Sequence, residues 1–324
     1  MKVAFVGKGG SGKTTLSALF CRSLALQTQP VMAFDADINQ HLGLTLGLSS
    51  ADAALIPPLG LEMDRIKDYL RGQNPRIRST ASMVKTTPPG QGSRLLRVTE
   101  DNPIYHYFSC QVNDIRLMVT GPLSQEDLGL KCYHSKVGAV ELILNHLLDE
   151  PGEYVVVDMT AGADSFASGM FTKFDLTFVV VEPTLKSLSV YQQYQHYARD
   201  YQVPIAVIGN KIVTEDDLTF LRQQVGDALI GWITQSEYVR SLERGVFLPL
   251  HHLEAPNLET LRSMQHAVDR CEKDWEQFYQ HTIAFHRKNA HAWANAATGE
   301  DLTEQIDPDY QFTDHLPRQA FPVS

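Results

Sequence analysis

Gly7-Lys8-Gly9-Gly10-Ser11-Gly12-Lys13-Thr14-Thr15 is the densest concentration of reactive chemistry in this sequence. It satisfies G-x-x-x-x-G-K-[ST] directly after a short apolar run. Glycines let successive backbone N–H groups turn inward around phosphate oxygens, and a helix beginning at Lys13 adds the partial positive charge of its N-terminus. The spacing puts Gly9, Gly10, Ser11, Gly12 and Thr15 around a phosphate chain. Lys13 reaches the β- and γ-phosphates, and the Thr14 hydroxyl binds Mg2+. Asp35 and Asp37 end the next apolar run, where both carboxylates would face the γ-phosphate and the metal. Like charges so close repel, and a cation between them relieves that. Asp158 ends a later run. Such acids often serve only as helix caps, but three of them at strand ends on one edge point to a metal–nucleotide site. Asn210-Lys211 ends a further run. An amide side chain pairs bidentately with adenine N6 and N7. A guanine-reading N-K-x-D loop would need an acid where Val213 stands, so ATP is expected over GTP.

Those residues need a scaffold that brings strand ends together. Lys2–Val6, Val31–Phe34, Ile115–Val119, Tyr154–Val157, Leu176–Val181, Ile205–Gly209 and Leu229–Ile233 read as strands buried on both faces. Helical spacing separates most of them, over Lys13 to about Leu26, Val137–Leu148, Leu185–Tyr201 and Glu215–Val225. Thr214 with Asp217 three residues on is an acidic capping box for the last of these. The pattern predicts an α/β fold, a mostly parallel twisted sheet with helices on both faces, its ligand beyond the carboxyl ends of the strands. Leu258, Leu261, Met264, Val268, Cys271, Trp275 and Phe278 recur at three and four residues and read as one helix packed on the core.

Two stretches break this rhythm. Arg71, Arg76, Arg78, Lys85, Arg94 and Arg97 are six basic residues in a span without an acid, and Pro88-Pro89-Gly90 lies among them. That reads as a solvated insertion or, alternatively, a docking surface for an acidic partner. Residues 293–324 hold six acids and one arginine. The expected organisation is an ATPase domain over residues 1–275, with a basic, partly mobile insertion at 60–110, then a helical and polar extension at 276–324.

With 28 Lys+Arg against 38 Asp+Glu the net charge is −10, which disfavours a broad nucleic-acid surface. Cys21, Cys110, Cys132 and Cys271 form no CxxC pair and no disulfide framework. An apolar strand at Lys2 leaves no room for a signal peptide, and no apolar run approaches a membrane span. A cytoplasmic, soluble protein is expected.

Lys8 makes the loop K-G-G-x-G-K-T-T, which resembles the deviant Walker A motif of the MinD/ParA/NifH (SIMIBI) P-loop ATPases. The resemblance implies that Lys8 crosses a dimer interface to touch the partner's nucleotide, hence a homodimer; a lysine acting only within its own subunit is the plainer alternative. It further implies that Asp37, the second acid of a D-x-D switch I, positions the attacking water. Asp35 then supports the metal or the loop. Asp158-Met159-Thr160-Ala161-Gly162 matches a Walker B and switch II pairing, Asp158 on a metal-bound water and the Gly162 N–H at the γ-phosphate. Lys8, Lys13 and Asp37 are the expected catalytic residues. Asp35, Asp158, Gly162, Asn210 and Lys211 join the loop in binding Mg·ATP.

Residues from Met1 to about Leu250 resemble most closely the CooC-type branch, ATPases that help insert nickel into carbon monoxide dehydrogenase and acetyl-CoA synthase. Val179-Val180-Val181-Glu182-Pro183, Ser187-Leu188 and Gly209-Asn210-Lys211 belong to the shared run. Gly129-Leu130-Lys131-Cys132-Tyr133-His134 stands where that branch carries G-x-x-C-Y-C-P, with His134 for the second cysteine and Ser135 for the proline. One copy offers two ligands, too few for a closed site; a two-fold axis doubles them to Cys2His2, suited to Zn2+ or Ni2+. Cys132 as a packed residue and His134 as a loop histidine is the structural alternative. The expected function is a dimeric, metal-inserting accessory ATPase serving a client metalloenzyme. The alternatives are a MinD/ParA-like positioning or regulatory switch without metal and, less consistent with Lys8, a ligase on the same loop.

Overall fold

A computed structural model of the chain describes residues 1–122, 133–162, 166 and 168–316, with backbone alone at 133–135. The strands are β1 (Lys2–Gly7), β2 (Val31–Ala36), β3 (Leu96–Arg97), β4 (Ser109–Val112), β5 (Ile115–Val119), β6 (Leu147–Leu148), β7 (Tyr154–Met159), β8 (Leu176–Val181), β9 (Ile205–Ile212) and β10 (Leu229–Thr234). Eight form one sheet in the order β10-β9-β8-β1-β7-β2-β5-β4, and β3 pairs with β6 apart from it. Within the large sheet only β4 runs antiparallel, along β5. The helices are α1 (Lys13–Ala25), α2 (Leu42–Leu46), α3 (Ser50–Ala53), α4 (Met63–Arg71), α5 (Pro103–Phe108), α6 (Tyr133–His146), α7 (Leu185–Asp200), α8 (Glu215–Val225), α9 (Glu237–Glu243), α10 (Ala255–Asp269), α11 (Trp275–Asn289) and α12 (Asn295–Thr298).

Burial on both faces explains why the strands read as unbroken apolar runs. Val3 and Phe5 point into one core with Leu16, Leu19, Phe20 and Leu24 of α1. Ala4 and Val6 point into the opposite core, shared with α6, α7 and α8. The expected strands are all present, and the Thr214–Asp217 capping box forms at the start of α8. Among the described residues no helix is long and apolar enough to cross a membrane.

The continuous helix expected through Phe278 is instead two helices, broken between Asp269 and Trp275. Lys273 in the break is pulled onto Asp149 and Asp175, at 2.6 and 2.7 Å. Asp274 then caps α11 by accepting from the Gln277 N–H at 2.8 Å. Apolar spacing continues across this gap although α10 packs into the core with α1 and α11 into a separate aromatic cluster with Phe312, so spacing alone does not reveal it.

The middle of the basic stretch is packed, while Arg76, Arg78 and Arg94 stay exposed. Pro88, Pro89 and Gly90 are buried, and the Tyr279 hydroxyl donates to Pro89 O at 3.1 Å. Arg76 faces Asp307 at 3.7 Å and Arg78 faces Glu304 at 3.8 Å. The Gln91 N–H donates to Asp307, and Gln305 donates to Ser82 O. Buried His286 bridges Thr86 and Leu302 O. Basic insertion and acidic tail, separate features in the sequence, are partners within one chain.

Candidate nucleotide site

β1 ends at the loop, and α1 begins immediately after it. Gly12 has φ 96°, and a Cβ there would lie 2.1 Å from Asn210 Nδ2. Only glycine tolerates both the left-handed backbone and that approach. Gly9, Gly10, Gly12, Lys13, Thr14 and Thr15 line a cavity of about 240 Å3 that Asp37, Asn39, His41, Ala161 and Glu243 close from the other side. Ser11 is fully buried, and its hydroxyl has no hydrogen-bond partner among the described residues. A second cavity of about 400 Å3 continues from Gly10, Gly12 and Thr15 past Asn210, Val213 and residues 233–236 to Val239. One hollow therefore has a polar end at the loop and a more apolar end between β9, β10 and α9, the layout a nucleotide requires.

Adjacent strands β2 and β7 bring Asp35 and Asp158 into register. Asp35 is fully buried; its carboxylate accepts from the Leu42 N–H at 2.8 Å and the Asp37 N–H at 3.3 Å. It shapes the loop instead of facing the cavity. Burial, then the charge of Asp158, raise its pKa well above the ordinary carboxylate value. Thr14 Oγ1 donates to Asp158 Oδ2 at 2.6 Å, while Asp158 Oδ1 is buried without a partner among the described residues. Burial pushes Asp158 up to about 7, against the Thr14 hydrogen bond and the Lys13 charge, which lower it. An orphaned carboxylate oxygen beside a threonine hydroxyl at the head of a phosphate loop is a hard-oxygen donor set of the kind Mg2+ takes. Thr14 and Asp158 would hold Mg2+, directly and through water, where it supplies neutralisation of phosphate charge.

Asp37 projects into the cavity. Its Oδ1 accepts from both the backbone and side-chain N–H groups of Asn39 at 2.9 Å, leaving Oδ2 with no hydrogen bond among the described residues. Asn210 Nδ2 donates to Ser11 O at 2.7 Å, so the amide expected to read the base also braces the loop. Lys211 Nζ donates to Gly10 O at 2.7 Å and to Glu182 Oε1 at 2.6 Å. Lys8 lies at the rim, 37% exposed and 3.8 Å from Glu182. Gly162 adopts φ 78° just beyond β7.

Sequence reasoning did not single out Asn39, Gln40, His41, Glu182 or Glu243 as site residues. Glu182 was visible in the V-V-V-E-P run, but only folding brings Glu243 of α9 to the loop. Cys132 lies outside the described residues, as does the side chain of His134, whose backbone opens α6. Among the described residues no group of three or more His, Cys, Asp or Glu is arranged to hold a metal ion.

A phosphate loop between the first strand and first helix of a mostly parallel sheet, opposite strand-end carboxylates, defines a P-loop ATPase. The model of the CobQ/CobB/MinD/ParA nucleotide binding domain matches residues 3–248, and the chain belongs to that family. It is similar to the carbon monoxide dehydrogenase accessory protein CooC of Rhodospirillum rubrum, 29% identical over 222 residues that span 68% of this chain and 78% of that protein. An uncharacterized ATP-binding protein of Methanocaldococcus jannaschii is 27% identical, over 74% of this chain and 87% of its own. These likenesses support the CooC-like branch named from the sequence. Among solved structures, a chain of the MinC:MinD cell division protein complex of Aquifex aeolicus aligns with TM-score 0.54 at 21% identity, covering 82% of this chain and 95% of that one. A ParA family ATPase from Chlorobium tepidum aligns with TM-score 0.51 at 15% identity, over 87% and 97%. At those identities the structural likeness speaks for the fold.

Proposed function

We propose that this chain hydrolyses ATP as a homodimeric switch and serves as an accessory factor in assembling a metal centre on a client metalloenzyme. The observation that carries the ATPase reading is the Thr14–Asp158 hydrogen bond, with Asp158 Oδ1 buried and unpartnered among the described residues, directly behind a cavity that Lys13, Thr14 and Asp37 line. In that reading Lys13 draws charge from the β- and γ-phosphates and the loop N–H groups hold the rest. Asp37, oriented by Asn39, holds the attacking water through its free oxygen. Val213 and residues 233–236 enclose the adenine.

The dimer reading rests on Lys8, exposed at the rim and loosely paired to Glu182, and on the resemblance of its motif. Leu185 and Val213, at 74% and 68% exposure, add apolar surface close in sequence to Glu182 and Lys211. The maturation reading rests on the likeness to the CooC accessory protein and on Cys132 and His134, which two copies would double to a four-ligand Zn2+ or Ni2+ site. Their thiolate and imidazole need deprotonation, so metal affinity should fall with acid. Closure on ATP would assemble the site and hydrolysis would release it. We place this work in the cytoplasm, where free Cys21, Cys110 and Cys271 stay reduced, with neither nucleic acid nor membrane as partner. Residues 1–275 act as the ATPase unit and 276–324 as the extension, whose residues 304–307 pack against the 60–110 insertion.

The test is anaerobic Zn2+ and Ni2+ titration with gel filtration in ADP and in ATP. Wild type should dimerise with ATP and bind one metal per dimer, and Cys132→Ser should keep the dimer and lose the metal. Lys8→Ala should leave monomer ATP affinity within about threefold but weaken dimerisation and turnover. ATP-driven dimers that bind no stoichiometric metal would leave a switch ATPase without a maturation role, and monomers in both nucleotides would end the dimer reading.

A further inference from the structure

Gln40 lies in the loop after β2, three residues beyond Asp37, and adopts φ 53°, a left-handed conformation unusual for glutamine. Its side chain reaches in two directions. Nε2 donates to Asp37 O at 2.5 Å and, more weakly, toward Asp35 O at 3.4 Å. Oε1 accepts from the Gly121 N–H at 3.1 Å. One amide therefore bolts the loop that carries Asp37 to the residues leaving β5.

That exit is itself a junction. The Thr120 N–H donates to Asp35 O at 2.9 Å, and the Gly60 N–H donates to Thr120 O at 3.0 Å. Gly121 has φ 99°, and a Cβ there would strike Pro58 at 2.5 Å, so the backbone is confined. Lys136, in the first turn of α6, donates to Pro122 O at 2.6 Å. Residues 120–122 thus touch the carboxylate loop on one side and the start of α6 on the other. An amide carries its donor and its acceptor on two different atoms, so one side chain can bridge a carbonyl and an N–H that lie apart. The left-handed backbone at a non-glycine residue is the kind of strain that persists where surrounding contacts impose it.

We infer that Gln40 is a positioning residue for hydrolysis, which sets the Asp37 loop and transmits its nucleotide-dependent position to Gly121, Pro122 and the head of α6. When Asp37 engages water and the γ-phosphate, its carbonyl moves with the loop, and the amide carries that shift to the β5 exit. The inference rests on the ATPase reading above but not on metal binding or on the identity of a client. It gives the loop two readable states at a place remote from the phosphates.

The experiment uses the full chain and two variants. Gln40→Gly removes the amide while relieving the positive φ, so the backbone is not strained by the change. Gln40→Glu keeps an acceptor for Gly121 but has no donor for the Asp37 carbonyl. Each is measured for Mg·ATP affinity, kcat and KM. Amide hydrogen exchange is followed at residues 119–122 and 136–140 in ADP and in a non-hydrolysable ATP analogue. Wild type should show a difference of at least fivefold in exchange rate between the two nucleotides at Gly121. Both variants should bind nucleotide within about threefold of wild type, lose about tenfold or more in kcat with little change in KM, and abolish the Gly121 difference. A merely structural glutamine would lower thermal stability and leave the nucleotide-dependent difference in place, which overturns the inference. Absence of that difference in wild type with nucleotide bound overturns it too, while leaving the ATPase reading intact. Failure of wild type to bind nucleotide at all overturns both.

Discussion

Charged groups are buried at both ends of the sheet, and the two ends treat them in opposite ways. At the amino ends of the strands, Lys2 and Lys273 close on Asp149 at 2.5 and 2.6 Å, and Lys273 also meets Asp175 at 2.7 Å. Trp275 lies under both ammonium groups, each 4.5 Å from its ring. Burial alone would raise the Asp149 carboxyl, but Lys2 and Lys273 hold it well below the ordinary range. At the carboxyl ends, Asp35 and Asp158 are as deeply buried, without an ion pair among the described residues, and both are pushed upward. Desolvation is common to the two places; only the first has its counter-charges built in. A closed set staples the C-terminal helices to the sheet. In the open set, on the proposed reading, the cation that relieves Asp158 is one that arrives with the nucleotide, while Asp35 is held by backbone N–H groups.

The most disruptive test of this contrast removes the cation nearest the open set. Lys13→Ala should weaken nucleotide binding about a thousandfold, on the order of 4 kcal/mol for a lost contact to phosphate, read by calorimetry. Binding within tenfold of wild type would mean the loop lysine does not meet phosphate. Asp149→Ala strips the shared anion from the closed set, leaving the buried Lys2 ammonium uncompensated and Lys273 with Asp175 alone. Denaturant unfolding should show a loss of about 3–5 kcal/mol, with nucleotide affinity unchanged in the folded fraction. The mirror change, Asp158→Asn, should stabilise the nucleotide-free protein at pH 8 by roughly 1–2 kcal/mol while abolishing Mg2+-dependent turnover. A loss of stability there would show that the upper carboxylates are not in conflict.

The smallest effect is a matter of pH. With burial pushing Asp158 up to about 7, metal binding below that pH should expel a proton. Mg2+ affinity should tighten by up to about tenfold per unit as pH rises toward 7, then level off. Between the ordinary carboxylate pKa and 7 the folded state holds more protons at Asp158 than the unfolded one, so this residue's contribution to stability falls as pH rises. Asp149 has the opposite sign, its contribution being lost only as pH drops through its depressed pKa. Calorimetry in buffers of different ionisation enthalpy reads the proton directly. No proton release at pH 6 would place Asp158 among ordinary carboxylates.

Much of this was legible from the chain alone, because the signals are local. Backbone freedom at Gly12, the lysine one residue later and an apolar run before the glycines specify a phosphate loop wherever they occur together. Runs buried on both faces alternating with helices specify a parallel sheet, and a parallel sheet must gather its strand-end acids on one edge. The register that sets Asp35 beside Asp158, the turn of Asp35 away from the cavity and the dual grip of Asn210 depend on which strands become neighbours. So do the break at Lys273, drawn out of helix by Asp149 far away in sequence, and the mating of the arginines at 76 and 78 with Asp307 and Glu304. Composition could show that one segment is basic and another acidic, but charge carries no address. Which residues could bind phosphate was a property of sequence spacing, set by bond geometry over a few residues; which charges would be neutralised at home and which left open to a ligand was decided only when the sheet brought distant side chains within reach and excluded water from between them.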